Sequence, residues 1–336
     1  MKKLSVLFIS LICLAAVSPA QVPEDDEIIK INTTLVSIPV VVTDRQGRHV
    51  SGLRAEDFTV FQNGKKQEIG FFATEEEPLS VAVLLDTSRS AIDVIDKIKS
   101  AAIDFIALLH PEDQAMIVTF DSKVKVLNSF TSNRAELERA IRNVEIGDRF
   151  GTVMRDAVRE VVDRRFAKVK GRKAIILLTD GKDFGSGENK TELLNSLEES
   201  DVLVYSVFYE TSIGNQNAGI NRGGNRGGRP GGILGGRRGG RMGNRRGGAR
   251  EREEKMDNDA KEYLEKMAKL TSGRFYQKNV TDLRKTFELI TDELRKQYRL
   301  GFYPDSEVQN EIREITVKVD RKNVSVRARE TYRAGK

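Results

Sequence analysis

Four runs dominate the chain: LSVAVLLD at 79–86, AMIVTFD at 115–121, AIILLTD at 174–180 and VLVYSVFYE at 202–210. Each is apolar at nearly every position instead of alternating. A strand with one wet face alternates with period two, so strands of this kind are buried on both faces. Between them lie segments with helical period: 91–109, 133–143, a stretch from Thr152 onward, and 191–199. Strands of this kind alternating with helices predict an α/β fold, a doubly wound and mostly parallel sheet with helices on both sides. The pattern resumes at 257–273, where Gly273 follows the helical period as a candidate C-cap, and then at RFYQ. A last helix sets Leu283, Phe287, Ile290 and Leu294 on one face. The α/β domain is therefore expected over 77–297.

Both flanks change period. IIKINTTLVSIPVVVTD at 28–44, DFTVFQNGKKQEIGFF at 57–72, and then YRLGFYP, EITVKVD and VSVRARETY within 298–333 are strand-like, with Asn63-Gly64 a hairpin turn. The flank at 21–76 and the segment 298–333 each lack enough strands to bury an apolar face alone. They are expected to combine into a small β-sandwich-like unit. Residues 211–255 interrupt the α/β pattern. Between Thr211 and Arg250 stand fifteen glycines and nine arginines, in repeated RGG units without one acid, a composition expected to be disordered. Those arginines, with Lys2 and Lys3, account for the net charge of +6; the remainder is mildly acidic.

The start, MKKLSVLFISLICLAAVSPAQ, joins two lysines to an apolar run that ends in small residues, a secretory signal expected to occupy 1–20. The run is shorter than a membrane-spanning helix needs. A secreted or periplasmic, bacterial protein with no integral span after cleavage is the expectation. The one cysteine, Cys13, lies inside that run and follows Ile12, which is unlike a lipoprotein processing site. His49 and His110 are the only histidines, so a multi-histidine zinc centre is excluded and a Ser-His-Asp triad has only these two to draw on.

Three short segments end buried strands or start helices and carry oxygen ligands. Asp86, Ser88 and Ser90 form D-T-S-R-S as the first apolar run ends; Thr152 stands in F-G-T-V-M-R-D; Asp180 ends ILLTDGKD. Open α/β sheets bind ligands at the carboxyl edge of their strands. Carboxylates and hydroxyls gathered there suit a hard cation such as Mg²⁺, with Mn²⁺ or Ca²⁺ as alternatives. Taken singly, each Asp is an ordinary loop or capping residue. Asp113, Asp121, Asp156 and Asp183 are further acids near these motifs, able to support a site or to act as turn and helix-surface residues.

D-x-S-x-S, G-T before a helix and an apolar strand ending T-D-G together resemble the metal-ion-dependent adhesion site of von Willebrand factor type A (VWA) domains. The resemblance covers about 79–290 apart from the insertion. It implies a Rossmann-like α/β fold and a non-enzymatic role. Ser88 and Ser90 are then direct ligands, Thr152 a direct or water-mediated one, and Asp86 and Asp180 ligands largely through water. One position is left for a carboxylate from a protein partner. The flanking LVSIPVVVTDRQGRHVSGLRAEDFTVFQNGKKQEI and QYRLGFYP are similar to VWFA-related proteins catalogued mostly from acidobacteria.

The expected function is thus an exported adhesion or scaffolding module that grips an acidic group on a protein through Mg²⁺. Two other classes compete with it. The RGG-rich insertion could bind nucleic acid or another anionic polymer, although no aromatic residue is interleaved in it. A metal-dependent hydrolase could use the same ion to activate water.

Overall fold

The computed structural model describes residues 35–74, 77–210, 243–279, 282–304 and 311–334. The expected signal segment and most of the arginine- and glycine-rich insertion, 211–242, lie outside them. The N-terminal flank supplies β1 (Val36–Asp44), β2 (Phe58–Gln62), β3 (Lys65–Gln67) and β4 (Phe71–Ala73). In the β2–β3 hairpin Gln62 faces Lys65, and the turn residues Asn63 and Gly64 both have positive φ, 47° and 79°. That two-residue turn matches the twist of the strands and suits the Asn-Gly pair.

Next come the strands of the central sheet: β5 (Leu79–Asp86), β6 (Gln114–Phe120), β7 (Val124–Val126), β8 (Arg172–Thr179), β9 (Val202–Tyr209) and β10 (Arg274–Lys278). Their order is β10-β9-β8-β5-β6-β7, and only β7 runs antiparallel to its neighbour. The chain moves outward from β5 to β6 and β7, then returns to lay β8 against the other side of β5. The gap between the ends of β5 and β8 is therefore the switch point at which such sheets open a crevice.

Alternation along these buried strands feeds two cores. Val81, Val83, Leu85, Ile176 and Leu178 face α1 (Ile95–Leu108), α2 (Arg134–Arg142) and α6 (Leu283–Arg295). Ala82, Leu84, Ile175 and Leu177 face α3 (Met154–Glu160), α4 (Lys190–Glu199) and α5 (Gly243–Leu270). On α6 the four residues of the apolar stripe, Leu283, Phe287, Ile290 and Leu294, are all buried.

Three boundaries differ from the sequence reading. The first helix begins at Ile95, because Arg89–Ala91 form a 3₁₀ turn. Helix α5 already starts at Gly243, inside the segment expected to lack order as far as 255; from Ala249 on, good helix formers allow the turn to propagate backwards. Gly273 is not the left-handed cap. Ser272 takes that conformation, at φ 61°, and Gly273 is required for another reason: a Cβ there would lie 2.0 Å from the Val204 carbonyl oxygen.

The C-terminal flank contributes β11 (Tyr298–Phe302), β12 (Ile312–Val319), β13 (Val324–Ala328) and β14 (Thr331–Arg333). Two four-stranded antiparallel sheets result, β13-β1-β11-β4 and β14-β12-β2-β3, and each takes strands from both flanks. Ile38, Val40, Val42, Leu300 and Phe302 of one meet Phe58, Val60 and Ile315 of the other in a single core. At its edge the Tyr298 hydroxyl donates to the Val50 carbonyl at 2.9 Å and accepts from the Leu53 N–H at 3.1 Å.

Candidate metal-binding site at the switch point

Asp86 is the last residue of β5 and is fully buried. Its Oδ1 accepts the Ser88 N–H at 2.9 Å, folding the D-T-S-R-S loop back over the strand end. The hydroxyls of Ser88 and Ser90 are thereby brought within 2.9 Å of each other. Its Oδ2 accepts the hydroxyl of Thr179, the last residue of β8, at 2.7 Å. The same Thr179 oxygen accepts the Gly181 N–H at 2.9 Å, which turns the chain just after Asp180. Gly181 has φ 74° and packs against Ala260 of α5, so both its backbone angle and its lack of a side chain are used.

Asp180 is 2 % exposed, and its Oδ1 accepts the Lys182 N–H at 3.2 Å. The Lys182 ammonium lies 3.9 Å from Asp180 Oδ2 and 3.3 Å from Asp257 of α5. Thr152, also buried, sits two residues before α3; its carbonyl accepts the Phe184 N–H at 3.0 Å, tying its loop to the one that follows Asp180. Asp86, Ser88 and Ser90 are thus linked by hydrogen bonds, Asp180 adjoins them through Thr179, and Thr152 approaches through backbone contacts.

Of the four neighbouring acids, Asp121 belongs to this edge. It is buried, lies 3.5 Å from the Thr87 hydroxyl, and accepts from Ser122 at 3.0 Å and from the Lys125 ammonium at 3.3 Å. Gly147 is held against it so closely that a Cβ would come within 2.6 Å. Asp183 accepts the Arg155 N–H, and Asp156 the Gly187 and Glu188 N–H groups, so both organise the surrounding loops. Asp113 accepts the Leu79 and His110 N–H groups, at the opposite end of the strands.

Burial, and then the charge of Asp180, raise the Asp86 carboxyl well above the usual carboxylate range, despite hydrogen bonds from Ser88 and Thr179 that oppose the rise. Burial and the same two acids push the Tyr209 hydroxyl upward as well. Tyr209 ends β9, is fully buried, and its hydroxyl has no hydrogen-bond partner among the described residues. Thr179 and Tyr209 were not singled out by sequence as parts of this edge, whereas Asp121 was among the four acids named as able to support it. Thr179 and Asp121 stood in plain view at the ends of strand runs, but nothing in VLVYSVFYE marks its last tyrosine.

Two like charges excluded from water, beside paired hydroxyls, are a donor set that a hard cation relieves. Among the described residues no three His, Cys, Asp or Glu side chains converge as a metal-ligating group. A cation here must rely on hydroxyls and water to complete its shell. The donor set fits that requirement. Neither histidine approaches Ser88: His49 stacks on Tyr298 in the sandwich, 5.7 Å between ring centres, and His110 lies beyond α1 beside Glu112. Ser88 therefore lacks an imidazole base.

Residues 81–182 match the von Willebrand factor type A domain. That segment is accordingly similar to a VWA domain, and it lies in an α/β sheet accompanied by two small antiparallel sheets built from the flanks. Similar solved structures include BatB from Bacteroides thetaiotaomicron, at 18 % identity and TM-score 0.45, covering 64 % of this chain and 97 % of that one. Another is the vWF domain of the type V pili tip protein Mfa5 from Porphyromonas gingivalis, at 12 % identity and TM-score 0.44, covering 65 % and 95 %. A third is proximal thread matrix protein 1 from the mussel byssus with a zinc-occupied MIDAS motif, at 16 % identity and TM-score 0.47, covering 69 % and 49 %. No curated protein matches the sequence. Among the described residues no helix is long and apolar enough to cross a membrane.

Proposed function

We propose that this protein is an exported adhesion or scaffolding module that recognises an acidic group on a protein partner through a divalent cation, Mg²⁺ or Mn²⁺. Asp86, Ser88, Ser90, Thr152 and Asp180 hold the cation in this reading. The observation that carries it is the burial of Asp86 and Asp180 side by side at the switch point, with the hydroxyls of Ser88 and Ser90 folded over them. When bound, the ion supplies a Lewis-acidic position that draws an external carboxylate, because so few formal charges surround it. The residues of the chain do the rest: Thr179 fixes the orientation of Asp86, and the Ser88 N–H pins the loop that presents both serines. The reading extends to membership of the VWFA-related family, which the two interleaved flanks support, and to export through the signal segment at 1–20.

Calorimetric titration of Mg²⁺ and Mn²⁺ into the purified chain, beside the Asp86→Ala, Ser88→Ala double variant, tests the site. Saturable binding by the parent and none by the variant is expected. A folded parent that binds neither ion sinks the proposal.

A further inference from the structure

Large apolar side chains exposed to solvent are scattered singly on most surfaces, and a cluster of them marks a contact face. Here Ile92, Phe150, Phe184 and Met256 are 61 %, 84 %, 58 % and 40 % exposed. All four stand on the segments that build the switch-point edge. Ile92 is two residues beyond Ser90 and Phe150 two before Thr152; Phe184 follows the Asp180 turn, and Met256 precedes the Asp257 that pairs with Lys182.

The fold gives this apolar material a shape. A cleft of about 160 Å³ opens one residue away from Asp180, with Gly181 and Lys182 on its wall. Met154, Phe184, Met256 and Tyr263 make it apolar, and α5 closes its far side. The volume suits one bulky side chain. Charge around it is mixed: Arg155, Lys182 and Lys190 share its wall with Asp183 and Asp259. The Arg89 guanidinium lies 4.5 Å over the Phe150 ring and the Lys190 ammonium 5.3 Å over Tyr263, and neither has an acidic partner among the described residues. Aromatic rings thus hold two cations in place without neutralising them.

From this arrangement we infer that the partner presents a two-part determinant: a carboxylate for the ion, and beside it a bulky apolar side chain that enters the cleft between Phe184 and Met256. The inference rests on the ion-bridged reading and names the partner chemistry that reading leaves open. Aromatic and arginine anchors around a polar centre are the usual composition of such contact faces.

Short synthetic peptides with one central Asp, differing only in the next residue, Gly or Leu or Phe, provide the probe. They are titrated by NMR or fluorescence into the chain with Mg²⁺ present. The Leu and Phe peptides should bind about tenfold more tightly than the Gly peptide, the gain from burying part of one apolar side chain. Phe184→Ser and Met256→Ser, both at exposed positions that folding does not need, should abolish that preference while leaving the weaker Mg²⁺-dependent binding of the Gly peptide intact. Mg²⁺-dependent binding with no preference among peptides overturns the inference and spares the ion-bridged reading. A preference that survives EDTA and Asp86→Ala overturns that reading, and the joint determinant with it. Failure of every peptide overturns both. Self-association of the chain alone, abolished by Phe150→Ser in sedimentation, assigns the face to a second copy and also overturns the inference.

Discussion

At the base of the central sheet buried and half-buried arginines end on backbone carbonyls, whereas at the opposite edge buried acids lie beside one another. Arg172 donates to the Glu77 carbonyl at 2.6 Å and to that of Leu294, in the last turn of α6, at 2.7 Å. Arg329 reaches the carbonyls of Glu198 and Ser200 where α4 ends; Arg327 reaches those of Ser272 and Gly273 just beyond α5, and Arg295 that of Leu108 at the end of α1. Helices in this fold run against their strands, so their C-termini, with unsatisfied carbonyls and the negative end of the dipole, all collect at the base. Arginine suits that task because its fork meets two acceptors at once. Arg327 and Arg329 come from the C-terminal flank, so the same bonds join the sandwich to the sheet. The charges at the base are consumed by the fold. At the opposite edge Asp86 and Asp180 are both buried and close enough for the charge of one to act on the other, with the Lys182 ammonium 3.9 Å from Asp180.

Substitution at the two edges should therefore have unequal effects on stability. Arg329→Met leaves two helix-end carbonyls buried and unpaired, and should lower unfolding free energy by about 3 kcal/mol in urea denaturation. Asp86→Asn, measured without divalent ions, should cost nothing or stabilise, since it removes one of two mutually repelling charges, yet it should abolish Mg²⁺ binding. Equal losses in the two variants would mean that both edges are structural, and the distinction would collapse. A smaller effect is expected at Thr179. Its hydroxyl both donates to Asp86 and accepts from Gly181, so Thr179→Val should cost about 1–2 kcal/mol and weaken Mg²⁺ binding without abolishing it. Unchanged calorimetric affinity would show that the orientation of Asp86 is set elsewhere.

How far the sequence revealed each edge follows from the kind of signal involved. The parallel sheet was legible because LSVAVLLD and AIILLTD are apolar at nearly every position before their terminal acids, and the hairpin because Asn63-Gly64 suits a two-residue turn. The five residues proposed as ligands stood out as a set because two short motifs end strand runs and a third precedes a helix, in order. The base was not legible. Arg327 and Arg329 look like outward residues of an alternating strand, VSVRARETY, and their partners lie more than fifty residues away. Gly273 was noticed for the wrong reason, because a close backbone approach by Val204 leaves no local mark. Tyr209 became visible only when the order of strands put its neighbours beside it, and the same order separates Asp121, at this edge, from Asp113 at the other end of the strands.

Acidity separates the regions further. The folded Asp86 carboxyl is raised above its unfolded value by burial and Asp180, so between the ordinary carboxylate range and neutrality the native state binds more protons than the unfolded chain. Metal-free stability should then fall as pH rises through that window. Asp86→Asn should flatten the slope. With saturating Mg²⁺ the sign should reverse, because protons and cation compete for the same oxygens. Thermal denaturation over the pH series, with and without the ion, reads all three outcomes; a metal-free profile identical to that of Asp86→Asn would refute the assignment of the slope to this edge.

The smallest expected effect lies in the sandwich and has the opposite sign. His49 is stacked on Tyr298 with both ring nitrogens buried and unpartnered. Burial first, and then the charge of Lys296, pull its pKa down from 6.5 to about 4. Between those values the unfolded chain binds a proton that the native state refuses, so this residue's contribution is complete above pH 6.5 and is lost as pH falls towards 4. In His49→Phe, which keeps the stack on Tyr298 without a titrating group, stability should decline less on acidification than in the parent. Asp86→Asn should leave that arm of the profile untouched. If His49→Phe instead alters the slope near neutrality, or the Asp86 variant alters the acid arm that His49 accounts for, the two regions are coupled through the sheet and the base is more than an anchor.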